Sequence, residues 1–251
     1  MEIIIVCIAA FAAGFIDAVV GGGGLVQTPA MLITFPNAPV ATLLGTVKIP
    51  SFCGTAVAAY QYNKRIDIRW KLIGWVALAA FAAAMFGSYM VSVLNNGLLK
   101  PIILGVLILV ALFTYTRKTL GHQHDEVPYA EALWKGVISG LVIGFYDGFI
   151  GPGTGSFLVL VFITMIGHDF MHASAHAKMI NLATNLASII YFSISGNILF
   201  HLAIPMAICN MAGGWAGTRM ALLKGNAFIR AFFLLVVTGT ILRFAWDIFF
   251  K

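Results

Sequence analysis

Two aspartates and two lysines lie where ionised side chains are costly. Asp17 and Asp147 each stand four residues before a glycine-rich break, in GFIDAVVGGGG (Gly14 to Gly24) and GFYDGFIGPGTGS (Gly144 to Ser156). Lys48 and Lys178 sit inside later apolar stretches. A charge at membrane depth costs about 3 kcal/mol or more unless it is paired, wetted or able to reach the interface. Two kinds of chemistry follow. In one, Asp17 pairs with Lys48 and Asp147 with Lys178, as structure alone. In the other, the lysines meet an anion or the aspartates carry a proton. Gly21, Gly23, Gly151 and Gly153 permit backbone conformations and close approaches closed to other residues, and Pro152 lacks an N–H donor, so both stretches predict broken helices. The segments that follow start with free N–H groups and a positive dipole end, which together attract an anion. Thr154, Ser156 and Asn181 add neutral hydrogen-bonding groups, as do Thr46, Ser51, Thr55 and Asn185. Tight packing of helices through small residues is the competing explanation of the glycines.

His168, His172 and His176 are spaced four apart, on one helical face, a pattern that could bind a metal or relay protons. Only Asp169 could complete a tetrahedral set, so no metal is expected there. His168 and His172 fall at the expected membrane edge. His176, two residues before Lys178, is the candidate for a role in transport. The run His122 to Glu126 reads as a solvated loop. GGGG is not followed by Gly-Lys-Ser/Thr, and no Gly-x-Ser-x-Gly or HExxH occurs, so neither a phosphate loop nor an intramembrane enzyme is expected. Cys7, Cys53 and Cys209 are widely spaced in apolar runs and predict no disulfide framework.

The elements that must position these groups are set by composition. Hydrophobic residues make up 61% of 251 positions and charged ones 10%, and the mean hydropathy is +0.96. That leaves too little polar surface for a water-soluble globule. Apolar stretches near 1–20, 70–94, 98–116, 133–150, 198–222 and 227–250 are each long enough to cross about 30 Å of hydrocarbon. The first lacks a basic start and an Ala-x-Ala cleavage site and reads as a retained span. The net charge of +6 lies mainly between apolar segments, at Lys64, Arg65, Arg69, Lys71, Arg117 and Lys118. It reports topology, not a nucleic-acid-binding face.

Residues n and n+130 align without a gap. Gly14, Phe15, Asp17, Gly21 and Gly23 face Gly144, Phe145, Asp147, Gly151 and Gly153; Lys48 faces Lys178, and Gly87, Met90 and Asn96 face Gly217, Met220 and Asn226. This predicts an all-α polytopic membrane protein of two tandem repeats, residues 1–118 and 131–251, joined by a hydrophilic linker at 119–130. Each repeat has four long helices plus one short or re-entrant segment after the break. Arg219 and Arg243 face Tyr89 and Phe113 and so lack the support of duplication. Basic residues crowd the loop after the third segment in repeat one but are absent near Gly196, its counterpart. That swap predicts inverted repeats.

With GFIDAVVGGGG and Pro29, and with GFYDGFIGPGTGS followed by His176, Lys178 and Asn181, the chain resembles the TauE/SafE family of membrane permeases, in its functionally unassigned branch. The resemblance covers nearly the whole chain. It implies a multi-pass transporter of the cytoplasmic (inner) membrane that moves a small anion such as sulfite, a sulfonate or a related organosulfur compound. It implies no bound cofactor. Expected partners are the anion, a coupled proton or sodium ion, and the lipid bilayer; a homodimer is left open. The expected substrate-binding set is Asp17, Gly21, Gly23, Lys48, Asp147, Gly151, Gly153, Thr154, Ser156, His176, Lys178 and Asn181. A passive anion channel and a non-transporting scaffold are the rival readings. Repeat two departs from repeat one in carrying Pro152 and Thr154 where repeat one has Gly22 and Gly24, so the two breaks cannot be identical anion cradles.

Overall fold

Apolar sequence with few breakers settles into helices, because in hydrocarbon every backbone polar group must be satisfied within its own segment. The computed structural model describes residues 1–94 and 127–249, and the described residues contain helices and no strand. The expected helix at 98–116 and most of the linker lie outside them. The helices are α1 (Glu2–Val20), α2 (Gly24–Thr34), α3 (Val40–Asn63), α4 (Trp70–Val93), α5 (Tyr129–Phe149), α6 (Thr154–Thr164), α7 (Phe170–Ile194) and α8 (Phe200–Phe249). Gly225, at φ 69° and ψ −165°, interrupts α8. Helices α1, α3 and α4 are long and apolar enough to cross a membrane.

The two short helices, of 11 residues each, span only about 17 Å. Neither crosses; each turns back along the helix before it. Gly23 opens α2 against Ala13 and Asp17 of α1, and Met31 further along packs with Val6 and Ala10 near the start of α1. Likewise Tyr146 donates to Pro152 O at 2.5 Å, whereas the far end of α6 meets the start of α5, where Lys135 Nζ lies 3.4 Å from Met165 O. α1 with α2, and α5 with α6, are therefore helical hairpins whose tips are the glycine breaks. The first apolar segment, expected as a span, forms α1, which is long and apolar enough to cross and is also the outgoing arm of the first hairpin.

The hairpins enter from opposite ends. α3 begins beside the open end of the first, where Leu43 and Val47 join Val6 and Met31. It then leads through a short loop to α4, whose Leu72, Ile73 and Val76 pack with Ala132 at the open end of the second. At the tips the chains touch. Ser156 N donates to Gly21 O at 3.0 Å and Ser156 Oγ to Val20 O at 2.9 Å.

Each outgoing arm lies along a helix from the other half. Gly140, Gly144 and Gly148 of α5 sit against Val76, Ala80 and Ala84 of α4, and Gly213 and Gly217 of α8 sit against Phe11 and Phe15 of α1. These contacts repeat every four residues on both partners, so the helices of each pair run in the same direction, with small residues letting the backbones close up. α3 and α7 cross antiparallel. Thr42 meets Asn197 at one end, where Thr42 Oγ1 donates to Asn197 Oδ1 at 3.0 Å, and Arg69 N donates to His176 Nε2 at 3.2 Å at the other.

Candidate functional site

The hairpin turns need glycine for a definite reason. Gly21, Gly151 and Gly153 have φ of +80°, +92° and +86°, a left-handed region unfavourable to residues with a Cβ. At the tip contact, Gly21 and Gly155 approach so closely that a Cβ on either would overlap the other's backbone. α2 and α6 start here, and neither Gly23 nor Gly153 caps its helix with a side chain. The first N–H groups of a helix have no intrahelical acceptor, so two positive helix ends are brought to one place.

The lysines approach from the long helices. Lys48 Nζ lies 3.0 Å from Asp147 Oδ1 and donates to Asp147 O at 2.6 Å. Lys178 Nζ lies 3.0 Å from Asp17 Oδ2 and also bonds to Asp17 O. Each ammonium thus holds both the carboxylate and a main-chain carbonyl near the C-terminus of an outgoing arm, the end where the helix dipole favours a cation. Thr154 Oγ1 lies 2.9 Å from Asp147 Oδ1, and Thr55 Oγ1 donates to Asp17 Oδ2 at 3.2 Å.

The ion pairs overturn the pairing expected within each half. Lys48 takes Asp147 rather than Asp17, and Lys178 takes Asp17 rather than Asp147. The physical reason is that α3 and α7 cross between the hairpins, and each extends its lysine to the tip contributed by the other half.

A cavity of about 30 Å³ lies between the tips, room for one or two water molecules. Of the expected residues, Asp17, Gly21, Lys48, Asp147, Gly151, Gly153, Thr154 and Asn181 line it. Gly23 is turned onto α1, Ser156 ties the two tips together, and Lys178, 1% exposed, lies behind Asp17. His176 lies elsewhere. Its ring stacks on Phe162 and His168 at the open end of the second hairpin, with Nδ1 2.7 Å from His172 O. Beside it, in the loop before α7, burial and then the charge of Arg69 hold the His168 imidazole down at about 4. Thr28, Val47, Ile150 and Gly155 also line the cavity without having been expected. Ser51 and Asn185, singled out only as polar groups on these segments, line it too, and Asn185 Nδ2 donates to Asn181 Oδ1 at 3.0 Å. Gln27, bonded at 3.0 Å to Asn210 Nδ2, was not anticipated at all.

Apolar helices, broken-helix hairpins and a charged cavity where they meet define the class: a helical membrane transporter. The chain belongs to the TauE/SafE family. Residues 6–244 match the family described as sulfite exporter TauE/SafE. It is 34% identical over 243 residues to a probable membrane transporter protein, ORF9, of Sinorhizobium sp, covering 96% of this chain and 91% of that one. A probable membrane transporter protein of Haemophilus influenzae is 32% identical, covering 88% and 85%, and YfcA of Escherichia coli K12, also a probable membrane transporter protein, is 31% identical, covering 90% and 83%. No solved structure matches. The family is one of transporters, not of enzymes.

Proposed function

We propose that this protein is a multi-pass secondary transporter of the cytoplasmic membrane that carries a small anion, of the sulfite, sulfonate or related organosulfur class, through the cavity between the hairpin tips. The observation that carries this reading is the convergence of Lys48 and the positive ends of two helices, neither closed by a side-chain cap, on one cavity. Desolvating an anion requires compensating donors, and these groups supply them. In the test, purified protein is screened by thermal shift against sulfite, thiosulfate, taurine, sulfoacetate and lactate, then reconstituted with the anions that bind. Saturable, sulfur-selective uptake is expected. Voltage-driven current without saturation would establish the channel reading instead, and no binding of any anion would leave the scaffold.

The same reading holds the chain to be two inverted copies of one unit. It is supported by reciprocal contacts at the offset of 130: Lys48 with Asp147 and Lys178 with Asp17, Gly87 with Phe145 and Gly217 with Phe15, Gly14 with Asn210 and Gly144 with Ala80. The basic loop with Lys64, Arg65, Arg69 and Lys71 then faces the cytoplasm. Cysteine accessibility in intact cells should place Asn63 inside and Gly196 outside. Both on one face would exclude the inverted arrangement.

A further inference from the structure

The two ion pairs look equivalent, but their surroundings differ. Asp17 Oδ2 is held by both Lys178 and Thr55, and Lys178 does not line the cavity. Lys48 does line it, and Asp147 Oδ2, buried with its residue 3% exposed, has no hydrogen-bond partner among the described residues. A buried carboxylate oxygen without a donor is a costly arrangement that a native site keeps only when something uses it.

We propose that Asp147 is the proton-binding group that couples anion movement to proton movement: an incoming anion takes Lys48 Nζ, and Asp147 takes a proton from the same compartment. This rests on the cavity being the anion site. The exchange is balanced in charge. The Lys48 ammonium stays protonated and trades the Asp147 carboxylate for the anion, and the carboxylate gains one proton on Oδ2 to become a neutral acid. One anion and one proton therefore enter together, and the site's net charge does not change.

The described residues that line the cavity beside Asp147 include no cation other than Lys48. α6 offers the Thr154 hydroxyl and its N-terminal end, α4 the Ser88 hydroxyl, which donates to Gly148 O, and α7 the amides Asn181 and Asn185 on the cavity wall. Tyr146, its neighbour, donates away to Pro152 O, and from α1 comes Asp17, a second negative charge on the same cavity, held by Lys178. Once Lys48 turns to an anion, no cation is left for Asp147, and a buried carboxylate without one takes up a proton. A sodium ion is the poorer occupant. It would stand beside the ammonium 3.0 Å from Oδ1 and would need several oxygen ligands, whereas a proton needs only Oδ2.

The experiment uses the full chain in proteoliposomes with methanesulfonate and isethionate, monoanions that stay ionised throughout the range from about pH 5.5 to about pH 8. In the wild type an anion gradient should drive proton entry in a one-to-one ratio, measured with an internal pH dye. Anion affinity should weaken about tenfold for each unit rise in pH once Asp147 is ionised. Asp147→Asn should bind anion with affinity unchanged by pH and move no protons. The wild-type ratio tests the proposal even if that variant folds poorly. Anion uptake with pH-independent affinity and no proton flux, or with sodium required in place of protons, would overturn the coupling and leave the anion site standing. If neither anion binds to the wild type, the anion site and the coupling both fall.

Discussion

Lys48→Met alone and Asp147→Asn alone should each destabilise the protein by about 3 to 5 kcal/mol, while the two together should return it to within about 1 kcal/mol of wild type. Removing one member leaves the other to hold its charge without a counter-ion or to neutralise at a cost; removing both leaves neither. Lys178→Met and Asp17→Asn should behave in the same way as a second pair. The decisive combinations are the crossed ones. Lys48→Met with Asp17→Asn, and Lys178→Met with Asp147→Asn, should each be destabilised by the sum of their singles, because each leaves two unpaired charges in different pairs. Thermal unfolding in nanodiscs gives the coupling energies. If Lys178 couples to Asp147 instead, the pairing across the two halves is wrong, and with it the crossing of α3 and α7. Anion uptake should be lost in both rescued double mutants, since Lys48 binds the anion and Lys178 holds the tip that frames the cavity.

This result is the one the sequence could not supply. Asp17, Lys48, Asp147 and Lys178 stand out by type, and their spacing of 130 marks them as equivalent positions, but spacing along the chain says nothing about which helix of one half lies against which of the other. Pairing within each half is the shorter connection, and it is the wrong one. Local features were easier to read. The short segments were expected after the two glycine breaks and form α2 (Gly24–Thr34) and α6 (Thr154–Thr164), because Gly and Pro punctuate the chain wherever it lies. The hairpin geometry was legible only in part: a short or re-entrant segment was expected after each break, but hydropathy does not report that it returns along the helix before it. His176 shows the opposite failure. Its nearness to Lys178 in sequence suggested a shared site, yet on a helix residues two apart point to different sides, and its ring stacks on Phe162 away from the cavity. Thr28 and Gln27 carried no usable signal, having neither charge nor a polar counterpart 130 residues on.

The tip contact between the hairpins gives the other large effect. A Cβ at Gly155 would stand 2.5 Å from Gly21 Cα and 2.6 Å from Gly21 O, both backbone atoms that cannot rotate aside. Gly155→Ala must therefore drive the tips apart, weakening the bonds from Ser156 to Gly21 and Val20 and widening the cavity those bonds close. A loss of about 3 kcal/mol or more is expected, the upper range of overpacking effects. The contrast is Gly74→Ala in α4, where a Cβ meets nothing within 4 Å and alanine is the better helix former. That change should leave stability unchanged or raise it by up to about 1 kcal/mol. Ser156→Ala separates sterics from hydrogen bonding, since it removes the bond to Val20 O without adding bulk and should cost about 1 kcal/mol. The order Gly155→Ala, Ser156→Ala, Gly74→Ala, from most to least damaging, follows if the tips meet as described. A Gly155→Ala protein as stable as Gly74→Ala would mean that the tips stand apart in the membrane, with the anion path open between them rather than closed around a small cavity.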